Sequence, residues 1–303
     1  MYHFAPKFDL RVRLFKLKTN ILKYIDDNFS SFSKGQKQIS SYIKEHYDKA
    51  AYMTAAKLGR EVGVSESTVV RFVMEMGFDG YPDFQKSLRS LIRARLTAVQ
   101  RIEVTNSLIG EGDVLEKVLC SDVDKIKRTL EGIDKEAFSE AVKNIIDAKT
   151  LYILGMRSSS YLAEFLNYSL RMLSDNVRLI QTTSGSETFE QMMNIGEGDV
   201  LFALSFPRYS RSVIKGVDFA KRAGADIIAL TDSDNSPIAA NADQLLVAQS
   251  DMASFADSLV APMSVINALI VAVTREKSEE FSKRLHRLEE AWDEYQVYNK
   301  NDF

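Results

Sequence analysis

From Thr19 to about Leu96, apolar side chains recur every third or fourth position with few β-branched runs, a spacing that predicts helix throughout. Ser33 stands three residues before Gln36, the capping-box spacing, and should start a helix over 34–47 with Ile39, Tyr42 and Ile43 on its apolar side. Thr54 is placed to cap a short helix over 55–61 that ends at Gly63, and Ser65 to cap another that runs to Met76 and stops at Gly77. A short helix, a glycine turn and a second helix predict a helix-turn-helix. Beyond a polar helical connection over 114–149 the pattern changes. Apolar runs at 150–154, 177–181, 199–205, 226–231 and 243–247 alternate with helical segments, which predicts a five-stranded parallel sheet with helices on its faces. The stretch 254–298 reads as a long helix, apolar at Leu259, Met263, Ile266, Leu269, Ile270 and Val273 and then strongly charged; it covers the sheet, joins two copies of the chain, or does both.

These patterns divide the chain into a basic arm over 1–18, an all-α helix-turn-helix domain over 19–96, a linker over 97–133, a three-layer α/β domain over 134–275 and a C-terminal helix over 276–303. Composition narrows the picture. With 303 residues, 45% of them hydrophobic and 27% charged, the chain reads as globular rather than disordered or fibrous. Cys120 is the single cysteine, so no intrachain disulfide forms, the Cys/His sets of structural zinc are missing, and a reducing cytoplasmic setting is expected with neither metal nor cofactor. No continuous apolar run of signal-peptide or membrane-span length is found. The net charge of −3 hides an asymmetry about Gly110: 18 Lys and Arg stand against 11 Asp and Glu before it, and 21 against 31 after it. A basic front half suits a polyanionic partner, because neutralised phosphates release counterions.

In the helix after Gly63, Val69, Phe72, Val73 and Met76 share an inward face. Ser65, Ser67, Thr68 and Arg71 lie toward its N-terminal half, where small hydroxyls and a guanidinium can enter a major groove, although the hydroxyls would also serve a plain helix cap. Lys57, with Arg60 and Lys86, is a candidate backbone contact, as are Lys7, Arg11, Arg13, Lys16 and Lys18 in the arm. In parallel α/β sheets, ligands sit beyond the carboxyl ends of the strands, where free N–H groups of following helices favour anions. Two loops there are rich in hydroxyls and arginines: Gly155-Met156-Arg157-Ser158-Ser159-Ser160, and Ser205-Phe206-Pro207-Arg208-Tyr209-Ser210. Together they predict an oxyanion site, while either alone would pass for a helix cap.

The segment from Thr54 through Leu88 resembles the N-terminal domain of the RpiR family of bacterial regulators, with Leu58, Gly63-Val64-Ser65, Ser67-Thr68-Val69, Arg71-Phe72, Gly77-Phe78, Gly80-Tyr81 and Phe84 in the family's order. Residues from about Glu136 to Thr274 are similar to the sugar isomerase (SIS) domain which that family places next, through Gly155, Ser159, Ala163, Ser205, Ser210, Gly224-Ala225, Thr231-Asp232, Ser236-Pro237 and Ala242-Asp243. The resemblance implies a DNA-binding regulator of carbohydrate metabolism that reads an operator with Ser65 to Arg71; because two such helices about one DNA turn apart read a palindromic site far better than one, a homodimer or homotetramer is expected. It also implies that Ser159, Ser205 and Ser210 hold a phosphosugar's phosphate, with Ser158, Thr183, Ser184 and Ser186 as secondary candidates. The chain departs from the SIS pattern where Arg157 and Pro207-Arg208 stand at positions usually occupied by glycine or Ser-Gly. Those arginines either strengthen an anion site through charge-assisted bonds, shifting preference toward another phosphate or carboxylate, or pair with Glu187 and Glu190 in a structural network. The competing activity is sugar-phosphate isomerisation. It needs a base, and His3, His46 and His286 all lie outside the strand-bearing segment, leaving Glu187 and Glu190; a non-enzyme is therefore expected.

Overall fold

The computed structural model describes residues 21–93, 96–182 and 185–298. The basic arm falls outside them. Two compact units divide between Glu111 and Gly112, with the short segment 254–256 grouped with the first.

The first unit is all helical: α1 (Ile21–Asn28), α2 (Lys34–Glu45), α3 (Tyr47–Ala50), α4 (Ala55–Val62), α5 (Glu66–Glu75), α6 (Tyr81–Arg93) and α7 (Ala98–Ile109). Both halves of the capping box at α2 are made, Ser33 N–H donating to Gln36 Oε1 at 2.8 Å and Gln36 N–H to Ser33 Oγ at 3.4 Å. Ser33→Ala is expected to lower stability by about 1 kcal/mol, read as a shifted denaturant midpoint with an unchanged slope. The helix expected over 34–47 breaks at His46, whose φ of −130° leaves the helical region, and restarts as α3. Ile21, Ile25, Ile39, Ile43, Leu58, Val69, Phe72, Val73, Phe84 and Leu88 form the buried core, and Phe32 meets Phe72 edge to face at 5.1 Å. Helix α6 fastens the α3–α4 loop by hydrogen bonds: Tyr81 Oη and Gln85 Nε2 donate to Met53 O at 2.9 and 2.6 Å, and Arg89 Nε to Ala51 O at 2.9 Å. Burial pushes the Tyr81 hydroxyl up to about 12, so it remains a donor across the physiological range.

The second unit begins with α8 (Val114–Gly132) and α9 (Lys135–Asp147), then alternates β1 (Leu151–Gly155), α10 (Ser158–Arg171), β2 (Val177–Ile180), α11 (Gly185–Gln191), β3 (Val200–Leu204), α12 (Arg211–Arg222), β4 (Asp226–Thr231) and β5 (Gln244–Val247). Strand order is β2-β1-β3-β4-β5, all parallel, with Gly155 level with Leu204 and Leu204 with Leu230. Alternate side chains separate the two faces. Leu151, Ile153, Phe202, Leu204 and Ile228 pack against α9, α10 and the C-terminal helix α13 (Val260–Glu276), whereas Tyr152, Leu154, Leu201, Ala203 and Ile227 pack against Val213, Val217 and Ala220 of α12 and against Met192. The long helix expected over 254–298 is two helices, α13 and α14 (Ser278–Glu294), parted at Lys277 with φ −117° and ψ 38°. Residues 254–259 precede the first of them. Ala261, Val265, Ile266, Leu269 and Val273 are buried on the sheet, so the apolar face of α13 is a core surface.

Candidate functional site

In the first unit, Gly59 makes the tight α4–α5 turn possible. A methyl group there would lie 2.8 Å from Val64 O, and Gly63 adopts φ 75° in the left-handed region. The turn delivers Ser65 as N-cap of α5, its Oγ accepting Thr68 N–H at 3.2 Å and lying 2.9 Å from Ser67 Oγ and 2.8 Å from Thr68 Oγ1. The hydroxyls therefore do cap the helix, and Ser65 and Ser67 still stand exposed, with Thr68 half-buried beside them. Arg71, one turn on, is exposed with Nε 3.4 Å from Ser67 O. Val69, Phe72, Val73 and Met76 hold the opposite face in the core. Lys57 is exposed on α4. If α5 reads DNA, Arg71→Ala should cost about 1–3 kcal/mol of duplex affinity and leave thermal unfolding unchanged.

In the second unit the strand order reverses its direction of growth between β1 and β3, which opens a crevice beyond their carboxyl ends. Both arginine-bearing loops start there. Gly155 permits the first to turn closely: an added methyl would stand 2.5 Å from Ser159 O and 3.0 Å from the Ala163 methyl. Arg157 follows with φ 60° and ψ −127° as N-cap of α10, its carbonyl accepting from Ser160 Oγ at 2.8 Å. Ser158 is exposed in the first turn of α10, and Ser159 beside it is 4% exposed. In the second loop Ser205 is 2% exposed, with its carbonyl held by Thr231 Oγ1 at 2.7 Å. Tyr209 Oη donates to Asp232 Oδ1 at 2.9 Å, tying this loop to the end of β4. Arg208 has φ 66°. Ser210 is the N-cap of α12, yet its side chain makes no capping hydrogen bond.

Arg157 and Arg208 are exposed, and among the described residues neither guanidinium forms an ion pair or hydrogen bond. The structural network with Glu187 and Glu190 is thus not formed; Glu187 instead accepts from Thr182 Oγ1. Because positive φ in a non-glycine residue costs about 1–3 kcal/mol, two unpaired arginines held so at one sheet edge point to a role other than packing.

A cavity of about 440 Å³ opens between the ends of β1 and β2, lined by Gly155, Arg157, Ser160, Glu164, Gln181, Thr182 and Glu187. Of the residues expected to bind the effector it gathers Arg157 alone, beside Gly155 and Ser160 of the same loop and Glu187, the candidate base. Ser159, Ser205, Arg208 and Ser210 belong to the adjoining β1 and β3 ends, and Ser184 and Thr183 lie outside the described residues. Glu164, Gln181 and Thr182 were missed. Gln181 Nε2 reaches Glu164 Oε1 at 3.3 Å across 17 positions, a pairing with no local sequence signal.

Comparison with known proteins follows the same division. Residues 19–94 match the helix-turn-helix domain of the rpiR family and residues 144–272 the SIS domain. The chain is 25% identical over 285 residues to the HTH-type transcriptional regulator HexR of Escherichia coli, covering 90% of this chain and 94% of that protein. An uncharacterized HTH-type transcriptional regulator of Clostridium perfringens is 27% identical over 220 residues, 72% of this chain and 77% of its own. Among solved structures, the sugar isomerase domain of an RpiR transcription factor from Sphaerobacter thermophilus is 28% identical with a TM-score of 0.55, covering 57% of this chain and 97% of that one. NanR of Vibrio vulnificus, complexed with ManNAc-6P, is 23% identical with a TM-score of 0.58 over 91% of this chain and 99% of its own.

Proposed function

The chain belongs to the rpiR family of helix-turn-helix transcriptional regulators that carry a SIS domain, and from that premise we propose that a phosphorylated sugar or related anionic metabolite, bound at the β1 and β3 loops, sets its affinity for operator DNA. The DNA is read by α5 through Ser65, Ser67, Thr68 and Arg71, with Lys57 on the backbone. In this reading Ser159, Ser205 and Ser210 receive the phosphate with the helix N-termini behind them, Arg157 and Arg208 supply charge, and Ser158 is a secondary contact, as is Ser184 by its place in the sequence. One arrangement carries it: hydroxyls and unpaired guanidiniums from two loops share the switch point of the sheet. Two paired copies would set two α5 helices about one DNA turn apart, as a palindromic operator requires.

We assign the α/β unit to sensing rather than isomerisation, and the whole to the cytoplasm beside its DNA. The curated relatives bear regulator names. The carboxylates lining the cavity, Glu164 and Glu187, are each engaged by a neighbour, Gln181 and Thr182. No helix among the described residues is long and apolar enough to cross a membrane.

The test is thermal unfolding of the full chain with sugar phosphates, the matching free sugars and inorganic phosphate. A ligand at a hundred times its dissociation constant should add about 2.7 kcal/mol, and Ser205→Ala should remove most of that gain. The same compound should change affinity for a duplex selected from a random pool by about 5- to 150-fold. Stabilisation by free sugars alone, or turnover of the stabilising compound, would sink the sensor reading.

A further inference from the structure

Helix α8 is built with its polarity reversed. The positions it turns into the second unit are Val118, Asp122, Lys125 and Thr129, of which Lys125 is only 1% exposed. These polar groups are satisfied there. Lys125 Nζ reaches Ser121 Oγ at 2.8 Å and Asp122 Oδ1 at 3.0 Å, Asp122 accepts from Ser258 Oγ at 2.8 Å, and Thr129 Oγ1 accepts Gln249 N–H at 2.9 Å. On the adjoining face Leu115, Leu119, Val123, Ile126 and Leu130 stand in solvent, the outermost two 68% and 67% exposed. An ordinary surface helix does the opposite, burying its apolar stripe and leaving lysine in water.

Leu119, Val123, Ile126 and Leu130, spaced four, three and four residues, keep the spacing of a coiled-coil seam, Leu115 continues the same stripe one turn earlier, and the strip runs for about 22 Å at 1.5 Å per residue. Its charges favour one orientation. Glu116 and Lys127 flank the same side of the strip near opposite ends. When two such helices run antiparallel, Glu116 of each meets Lys127 of the other and the helix dipoles oppose; a parallel pair would set like beside like. The strip is therefore complementary to itself under a two-fold operation.

We propose that α8 is an interface between two copies of this chain, packed antiparallel about a two-fold axis near Val123. Buried leucines from both copies supply the affinity, and the Glu116–Lys127 pairs supply the direction. The inference rests on the proposed function only for the expectation that copies pair, and it adds where they do so.

The test uses the full chain. Leu119→Glu should shift the light-scattering mass from dimer to protomer and weaken association at least about 100-fold, because each leucine loses its burial twice over, while thermal unfolding of the protomer is unchanged. With Cys120, itself exposed on α8, replaced by serine, Val123→Cys should cross-link to itself under mild oxidation. Leu115→Cys and Leu130→Cys should each fail alone and cross-link when mixed. A wild-type dimer unaffected by Leu119→Glu, with no cross-link at 123, overturns the α8 interface and leaves the regulator reading intact. Self cross-linking at both 115 and 130 overturns the antiparallel geometry. A wild type that remains a protomer, or a Leu119→Glu variant that loses thermal stability instead of mass, overturns the pairing itself.

Discussion

Replacing Gly155 with alanine is expected to loosen the β1–α10 junction and abolish stabilisation of the α/β unit by its effector. The added methyl would meet Ser159 O at 2.5 Å, Ser159 C at 3.0 Å and the Ala163 methyl at 3.0 Å. Two of these are backbone atoms in the first turn of α10, so no side-chain rotation relieves the clash. The helix must move, and it is anchored by Leu162, Ala163 and Leu166, all fully buried against the sheet. The cost belongs at the upper end of overpacking, about 3 kcal/mol, which for a unit of this size lowers the unfolding midpoint by about 6–12 °C. Calorimetry of the full chain would show the drop in the second unit's transition, and no sugar phosphate should restore it, because Arg157 and Ser159 move with the helix. A midpoint within a degree of wild type would refute the close-approach account of this glycine.

The double substitution Arg157→Gly/Arg208→Gly should push stability and ligand affinity in opposite directions. Both arginines hold positive φ, 60° and 66°, and glycine adopts that backbone without the steric cost. Relief of about 1–3 kcal/mol at each position should raise the unfolding midpoint. Each lost charge-assisted hydrogen bond to an anionic effector removes about 1.5–3 kcal/mol, or roughly 10- to 150-fold in dissociation constant per arginine. Calorimetric titration of the double variant separates the possibilities. A more stable protein that binds as tightly as wild type would make the arginines bystanders, and a less stable one would make them structural. Opposed effects are the signature of strain kept for binding, the usual balance at functional sites.

The dependence on loop chemistry also distinguishes the effector class. Loss of affinity on Ser205→Ala reports on the phosphate seat, whereas loss on arginine replacement reports on total charge. A ligand that needs the arginines and not the serines would be a carboxylate rather than a phosphosugar.

Much of the secondary structure is legible along the chain because its causes are local. Ser33 with Gln36, Thr54 and Ser65 each bond to backbone three residues away, and Gly63 and Gly77 take the positive φ that ends a helix. The five strands appear within about one residue of the apolar runs that announce them; β5 starts one later because the Asp243 carboxylate is occupied with Ile227 N–H at 2.8 Å. Both candidate loops can likewise be found from their hydroxyls and arginines. Period alone also marked α8 as a helix, although not which of its faces turns inward.

Caps, turns, helical and strand periods, and the chemistry available at each loop are written locally, since they depend on neighbours a few positions apart. Tertiary structure alone decided the order β2-β1-β3-β4-β5 that brings the β1 and β3 loops to one switch point. It also decided the positive φ of Arg157 and Arg208, against what their residue type favours. The break at Lys277, the Gln181–Glu164 contact and the buried Lys125 beside an exposed leucine strip are of the same kind. The physical reason is distance along the chain: Asp122 is held by Ser258, 136 residues away, and no local pattern encodes which distant surface a segment will meet.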